Sequence, residues 1–560
     1  MPPRRVNQDV NAIVKNFNDA QLRVGLVCPA EFVAGKSHLA LQILYFIAHQ
    51  FPEIACERIF LPSPPDRRRN IPPLSRETGH PLKDFDILAF SLSFELEYPW
   101  VLWMLQQSGI PVTLQERGRS PRQHPFILLG GLAISANPAP LRSVADAIFV
   151  GEADRAFGGI LQDCLSTSRA NWGSSGGLDK RDGVLLPDRE NKVKRVWEPF
   201  LDDVPYPVAQ IIPREISPQH MRRKVTPLRD SFLLEVNRGC PNWCRFCLAG
   251  HVTRPFRNRS LKKLCEILTE GIQATPTKQV TLIGSAVADY PHLPELLQEI
   301  LNLGLNFSLP SVRLDRIDDN LLSLLRKNGT RTLTIAPEAA EDTVRRAIGK
   351  DWSNAEIIEA TRNFTTSGIH NLKFYFLLGL PGTLEIEGGK IPDLVGQISQ
   401  GLAPNARLKV SVNPFVPKAH TPFVHCVQYY FGDGFQKLSH TWDAVQKQLR
   451  KIPRVYVDGY EPRWAQIQTL ISLAGSDIRP ILGAWAERGV TLGGLSTVAR
   501  ENDWNLDEVI QSYASQQHNP WDIVDVGVKP CILREEFKLA QEFKVSPPCS
   551  EGCKRCGLCH

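Results

Sequence analysis

No apolar run in the 560-residue sequence reaches the roughly eighteen residues that a membrane span needs. An apolar signal core is also missing behind the opening Met-Pro-Pro-Arg-Arg, so no secretory signal is read there and a cytoplasmic location is expected. There is little excess of charge of one sign. Lys and Arg number 65 against 59 Asp and Glu, a formal net charge of +6, which at this length makes no case for nucleic acid as a partner. The basic runs Arg67-Arg68-Arg69 and Met221-Arg222-Arg223-Lys224 read as solvated loops rather than phosphate contacts. The thirteen cysteines lack the spread of a disulfide framework. Seven crowd into two clusters, while Cys28, Cys56, Cys164, Cys265, Cys426 and Cys531 are scattered and read as structural. That distribution suggests metal ligation in a reducing compartment. Hydrophobic residues make up 42% and charged residues 22%, normal for a soluble globular chain, and the length calls for about two to four domains.

The stretch Arg238-Gly239-Cys240-Pro241-Asn242-Trp243-Cys244-Arg245-Phe246-Cys247 follows the apolar, β-like run Phe232 to Val236. Its three thiols stand four and three residues apart on a loop made tight by Gly and Pro. Iron-sulfur cubes ordinarily take four Cys, so three would leave one iron open to chelate a small molecule. A zinc loop short of one ligand and three unrelated buried thiols are the alternatives. The CX3CX2C spacing, with the aromatic Phe246 before the third Cys, resembles the radical SAM superfamily. The resemblance implies that Cys240, Cys244 and Cys247 hold a 4Fe-4S cluster that binds the amino and carboxylate groups of S-adenosylmethionine.

Ahead of this loop, strand-like runs Arg23 to Val27, Glu57 to Leu61, Ile87 to Ser91, Phe126 to Leu129 and Ala147 to Val150 alternate with helical segments such as Ser37 to His49. This is the pattern of a doubly wound parallel sheet, which binds ligands beyond the carboxyl ends of its strands. The loops there carry Ser91 and Ser93, Gly130 and Gly131, and Gly151 and Glu152. Small residues let backbone approach a flat ligand, or they simply make turns. The run from Arg23 through Gly131-Leu132-Ala133-Ile134-Ser135-Ala136-Asn137-Pro138 to Gly151-Glu152-Ala153-Asp154 resembles the cobalamin-binding domain that precedes many radical SAM domains. On that resemblance these loops hold cobalamin. Because Asp-X-His-X-X-Gly is missing, the cofactor is expected with its own base displaced and no histidine on cobalt.

Residues 165–228 read as a linker, with a small hairpin around Gly183 to Val196. Beyond it, strand candidates Phe232 to Val236, Gln279 to Ile283, Asn306 to Leu309, Thr332 to Ile335, Asn371 to Leu377 and Lys409 to Val412 suit the partial (β/α)6 barrel of radical SAM enzymes, with active groups at the carboxyl ends. By the same resemblance Gly284, Ser285, Ser311, Arg313, Glu338, Gly379 and Pro381 contact S-adenosylmethionine. Arg313 can hold a carboxylate bidentately and Glu338 can accept from hydroxyls or an amine. Thr383 stands where Gly-X-Pro-Gly-Glu is commoner. The run Asn413 to Phe423, with Pro-Phe-X-Pro-Lys-X-His-Thr-Pro-Phe in it, resembles a subset of cobalamin-binding members.

The expected organisation is an extension (1–21), a cobalamin-binding domain (22–164), the linker (165–228), a radical SAM domain (229–425) and a mainly helical C-terminal region (426–560). Helices are expected at Phe435 to Lys451, Trp464 to Gly475, Ile478 to Arg488 and Leu506 to Ala514, covering the open side of the barrel. The chain ends in Cys549, Cys553, Cys556 and Cys559. Their CX2CX2C run equals the opening of a bacterial ferredoxin motif, and a second 4Fe-4S cluster or zinc is open there.

The resemblance implies chemistry in which a reduced cluster cleaves S-adenosylmethionine to a deoxyadenosyl radical, while cobalamin carries a methyl group to the substrate radical. The reading is a cobalamin-dependent radical SAM methyltransferase acting on an unactivated carbon, with a peptide or protein side chain as substrate. Its electron donor is of the flavodoxin or ferredoxin type. A rearranging enzyme and a cobalamin-responsive binding protein are the alternatives. Methylthiolation of RNA is disfavoured because the N-terminal region lacks a Cys triad.

Overall fold

The computed structural model describes residues 9–118, 123–174, 177–213, 231–515, 518–550 and 552–558. The basic run at Met221 to Lys224 lies outside them. No helix among the described residues is long and apolar enough to cross a membrane.

The first layer is a six-stranded sheet in the order β2-β1-β3-β4-β5-β6, built from β1 (Leu22–Glu31), β2 (Ile54–Leu61), β3 (Ile87–Ser91), β4 (Phe126–Gly130), β5 (Ala147–Phe149) and β6 (Val184–Leu185). The first five run parallel and β6 is antiparallel. All eight residues of β2 and all five of β3 are buried, because helices cover both faces of such a sheet and its strands read as continuous apolar runs. Helix Leu39–His49 packs on one side. Helix Tyr98–Gln107 has Val101, Leu102, Trp103, Met104 and Leu105 all buried, since a helix apolar all round must be covered all round. Strand order reverses between β1 and β3, and a doubly wound sheet opens its ligand crevice at that point.

The expected hairpin at Gly183 to Val196 does not form. Its first half is β6, on the edge of the N-terminal sheet, and its second half, β7 (Val193–Lys194), pairs in parallel with Val524–Asp525 near the end of the chain. Two-residue strands with no tight Gly-containing turn between them have nothing to lock them to each other.

Two further parallel sheets follow. One has the order β12-β11-β8, from β8 (Phe232–Glu235), β11 (Gln279–Ile283) and β12 (Asn306–Ser308); a small ladder of β9 (Asn237–Arg238) and β10 (Arg257–Asn258) lies beside it. The other has the order β13-β14-β15-β16, from β13 (Thr332–Glu338), β14 (Asn371–Leu378), β15 (Arg407–Pro414) and β16 (Val455–Asp458). All six expected strands are present, and β16 is a seventh that the sequence reading missed. The backbone N–H of Val312 donates to Thr334 O at 3.0 Å and links the two sheets. Helices on the outside start at side-chain caps: Ser260 and Asp318 accept from the third residue on, and Ser353 closes a capping box with Glu356, each such cap contributing about 1 kcal/mol. Phe374, Phe376 and Val410 are fully buried beneath them, each adding roughly 1.5–3 kcal/mol. The opposite face stays open, with Lys373 and Tyr375 exposed.

The C-terminal helices are Gly432–Leu449, Pro462–Leu473, Arg479–Glu487, Leu492–Glu501, Leu506–Ser512 and Pro530–Gln541. Helices Gly432–Leu449 and Pro462–Leu473 pack against β15, and helix Pro530–Gln541 sets Phe537 and Ala540 against Phe415 and Phe423. Helix Arg479–Glu487 docks on Tyr98–Gln107 of the N-terminal layer, with Gln106 Nε2 donating to Gly483 O at 3.2 Å. The Asn137 amide likewise donates to Ser472 O and Ala474 O. Helix Arg479–Glu487 thereby covers an apolar side of helix Tyr98–Gln107, a surface that exists only once the sheet is assembled.

Candidate active site

The carboxyl ends of the N-terminal strands and of the first barrel strands face one another across a cavity of about 510 Å³, a volume typical of small-molecule sites. From the first sheet come His38, Ser91, Ser93, Gly131, Gly151 and Glu152. From the second come Asn237, Arg238, Gly239, Gly284 and Ser285. The cavity therefore unites most of the residues expected to hold cobalamin with the first pair expected at S-adenosylmethionine. Gly130 lies one residue behind the lining.

Two glycines at this cavity are demanded by backbone. Gly239, just before Cys240, has φ +74°, and a Cβ there would sit 2.2 Å from Pro255 O. Gly151 has φ +124°, and its Cβ would sit 2.1 Å from Val196 O. Only glycine adopts such conformations without strain, so Gly151 is explained by packing as well as by any ligand.

A buried ion network fixes the two halves. Arg238 forms a fork on Asp154 at 2.6 and 2.8 Å, a second on Glu235 at 2.8 and 2.9 Å, and reaches Glu152 at 3.1 Å. Arg257 grips Glu152 at 2.7 and 3.0 Å. Arg259 adds a bond to Glu235 at 3.0 Å. Burial acts to raise the Glu235 carboxyl, but the guanidiniums of Arg238 and Arg259 outweigh it and hold it below the usual carboxylate range. Glu152 is held low in the same way, burial being outweighed by Arg257 and Arg238. The acidic loop after β5 is thereby clamped to the residue two places before Cys240. Glu152 spends its carboxylate on this clamp.

Cys240, Cys244 and Cys247 are free and half-buried. Burial raises all three thiols, that of Cys247 to about 12, so thiolates there require a compensating cation such as iron. The loop is braced from beneath. Arg245 is fully buried and binds Glu536 at 2.9 Å and Lys544 O at 2.7 Å, and its N–H donates to Ile348 O at 3.1 Å. Beside Cys244 stand Lys350, Arg313 and Glu338, in order of their effect on its thiol after burial. Lys350 donates to Ala336 O at 2.5 Å and to Glu338 Oε1 at 3.2 Å. Arg313 is forked on Asp315 at 3.0 and 2.9 Å. The expected residues Arg313 and Glu338 are thus at the cluster loop. Ser311 is exposed two residues before Arg313, and Gly379 and Pro381 form a turn against Tyr429, apart from the cavity.

Three side chains escaped the sequence reading. Lys350 follows Gly349, whose φ of +88° and close approach to Trp243 O mark a tight contact with the loop. Glu387 accepts from the Ala340 and Glu341 N–H groups at 2.7 and 2.9 Å, and burial raises its carboxyl to about 7. His38 bonds Ser93 Oγ through Nε2 at 2.7 Å, and burial lowers its imidazole, favouring the neutral form. The Asn413 to Phe423 run reaches back to the N-terminal loops: Lys418 pairs with Glu95 at 2.6 Å and His420 Nε2 meets Ala136 O at 3.0 Å.

Family models describe the same two halves. "Radical SAM proteins, N-terminal" matches residues 40–182 and "Radical SAM superfamily" matches residues 234–388. Uncharacterized protein MJ0966 of Methanocaldococcus jannaschii is 27% identical over 425 residues, 76% of this chain and 84% of that protein. Uncharacterized methyltransferase PH0819 of Pyrococcus horikoshii is 22% identical over 275 residues, 48% of this chain and 57% of that one. The structure of TsrM from Kitasatospora setae, a radical S-adenosylmethionine methyltransferase with cobalamin and a [4Fe-4S] cluster bound, superposes with a TM-score of 0.52 at 12% identity, covering 88% of this chain and 100% of that one. At that identity the likeness is one of fold. The chain belongs to the radical SAM superfamily, in the two-part architecture that TsrM shares.

Proposed function

We propose that this chain is a cobalamin-dependent radical SAM methyltransferase acting on an unactivated carbon, with a peptide or protein side chain as substrate and a flavodoxin- or ferredoxin-type electron donor. The observation that carries the reading is the single cavity in which Ser91, Ser93, Gly131 and Gly151 at the ends of a doubly wound sheet face Gly239, Gly284 and Ser285 beside the cluster loop. TsrM, whose structures carry cobalamin and, separately, tryptophan with a SAM analogue, supports the same pairing of cofactors.

When bound, an open-iron 4Fe-4S cluster, S-adenosylmethionine and cobalamin supply one-electron cleavage of a sulfonium and carriage of a methyl group. Cys240, Cys244 and Cys247 would hold the cluster. Lys350 and Arg313 set positive charge beside Cys244, suited to a carboxylate, and Glu338 offers an acceptor for an amine or hydroxyl. Ser91, Ser93 and the backbone at Gly131 and Gly151 would line the cobalamin side, and Glu152 and Asp154 keep that side in register with Arg238.

The test is anaerobic reconstitution with cobalamin, reduction in the presence of S-adenosylmethionine and a peptide library, and assay for S-adenosylhomocysteine and deoxyadenosine together. Deoxyadenosine without S-adenosylhomocysteine or methylated product overturns methyl transfer in favour of rearrangement. A histidine-nitrogen signature on cobalt overturns the base-displaced, ligand-free binding mode.

A further inference from the structure

The described end of the chain repeats the arithmetic of the cluster loop. Cys549, Cys553 and Cys556 stand four and three residues apart, the same CX3CX2C spacing as Cys240, Cys244 and Cys247. The two segments also touch. The N–H of Cys549 donates to Pro241 O at 2.8 Å, inside the first loop. The guanidinium of Arg555 lies 5.0 Å from the Trp243 ring and that of Arg254 lies 3.5 Å from it. Cys556 is 1% exposed and Leu558 is 7% exposed, so the tail is seated rather than draped.

Arg254 supplies a second, independent observation. It has no solvent exposure. Its Nε donates to Gly250 O at 2.8 Å and one Nη to Asn242 O at 2.6 Å, while the other Nη is buried without a hydrogen-bond partner. The sulfurs of Cys556, Cys240, Cys549 and Cys553 stand near it. A buried guanidinium with only carbonyls to bond is costly unless an anion compensates it. Thiolate-ligated iron-sulfur groups at the two cysteine segments would supply that negative charge.

We propose that Cys549, Cys553 and Cys556 hold a second 4Fe-4S cluster, packed against the first cluster's loop, with Arg254 between the two as a shared counter-ion. Cys559, three residues beyond Cys556 in the sequence, lies outside the described residues.

Iron and acid-labile sulfide in the anaerobically reconstituted wild-type chain should approach about eight of each, two cubes of four. The Cys240→Ala/Cys244→Ala/Cys247→Ala variant should keep about half the iron and an electron paramagnetic resonance signal from the tail. The Cys549→Ala/Cys553→Ala/Cys556→Ala variant should keep the other half. Saturation of the wild type at about four irons overturns the cluster, whether the tail then holds zinc, a disulfide or nothing. Because the wild-type count needs no variant, misfolding of a variant does not hide the answer, and because it needs neither cobalamin nor methyl transfer it stands apart from the proposed activity. For Arg254, the charge-removing Arg254→Gln should move the midpoint potentials of both clusters downward, and Arg254→Lys should restore them. Unmoved potentials overturn the shared counter-ion.

Discussion

The N-terminal sheet and the barrel strands are both parallel, yet they bury their residues differently. In β2, β3 and β5 every residue is buried. In β14 and β15 buried and open positions alternate almost strictly. A parallel sheet is ordinarily covered on both faces, and a complete barrel fills its lumen with layered side chains. The alternation in β14 and β15 marks a face left for an occupant. The first sheet is therefore a scaffold that offers only its strand ends, whereas the barrel offers strand ends and an open wall.

The largest expected effect breaks one half and spares the other. Replacing Cys240, Cys244 and Cys247 together with Ala should abolish deoxyadenosine formation, read by chromatography, while cobalamin still binds, read by its absorbance; equal loss of both would show that the halves cannot be separated. Next comes the clamp between them. Arg238→Met leaves the buried Asp154 and Glu235 carboxylates without their forks, and should cost about 3–5 kcal/mol of stability in denaturant titration. A second change, Asp154→Asn, should recover part of that loss.

Two aromatic deletions separate the scaffold sheet from the open wall. Phe90 of β3 is 2% exposed and Tyr375 of β14 is 38% exposed. Phe90→Ala should cost about 3–5 kcal/mol, and Tyr375→Ala should stay within about 0.5 kcal/mol. Similar losses at both sites would mean that the β14 wall is structural after all.

The smallest effect is a slope in pH. Glu387 has its carboxyl raised from an ordinary 4.5 to about 7 by burial, so between those values the folded chain binds more protons than the unfolded one. Stability from this group is then present below 4.5 and lost as pH rises through about 7. Glu387→Gln should flatten that part of the stability profile measured by thermal melts.

Much of this was legible in the sequence because the apolar runs are strong. The strands of the first sheet and the six barrel strands show in the residues themselves, and the Cys240 loop states its own spacing. What escaped depends on tertiary partners. Strand β16, Val455-Tyr456-Val457-Asp458, is only four residues long, too short a run to set it apart from its surroundings. The hairpin reading failed because β6 and β7 each found a distant partner. The docking of helix Arg479–Glu487 was not legible because its target, the back of helix Tyr98–Gln107, is a property of the folded sheet. Lys350, Glu387 and His38 are polar residues whose roles come only from what folding sets beside them. The range 22–164 read as a domain also leaves out β6 and helix Arg479–Glu487, which pack on that layer from later in the chain.

The bracing of Arg245 has a consequence for how the protein is made. Its partners Glu536 and Lys544 lie 291 and 299 residues further along the chain. At translation rates of about 5–20 residues per second, the loop waits roughly 15–60 seconds between its own synthesis and the arrival of the Glu536 carboxylate and the Lys544 carbonyl that set its floor. During that interval three thiols destined for iron are exposed on the ribosome without their support. Iron delivery to the finished chain, after release, is the order of events that this wiring favours, and a nascent chain stalled before Glu536 should be unable to retain a cluster in a pull-down of ribosome-bound intermediates.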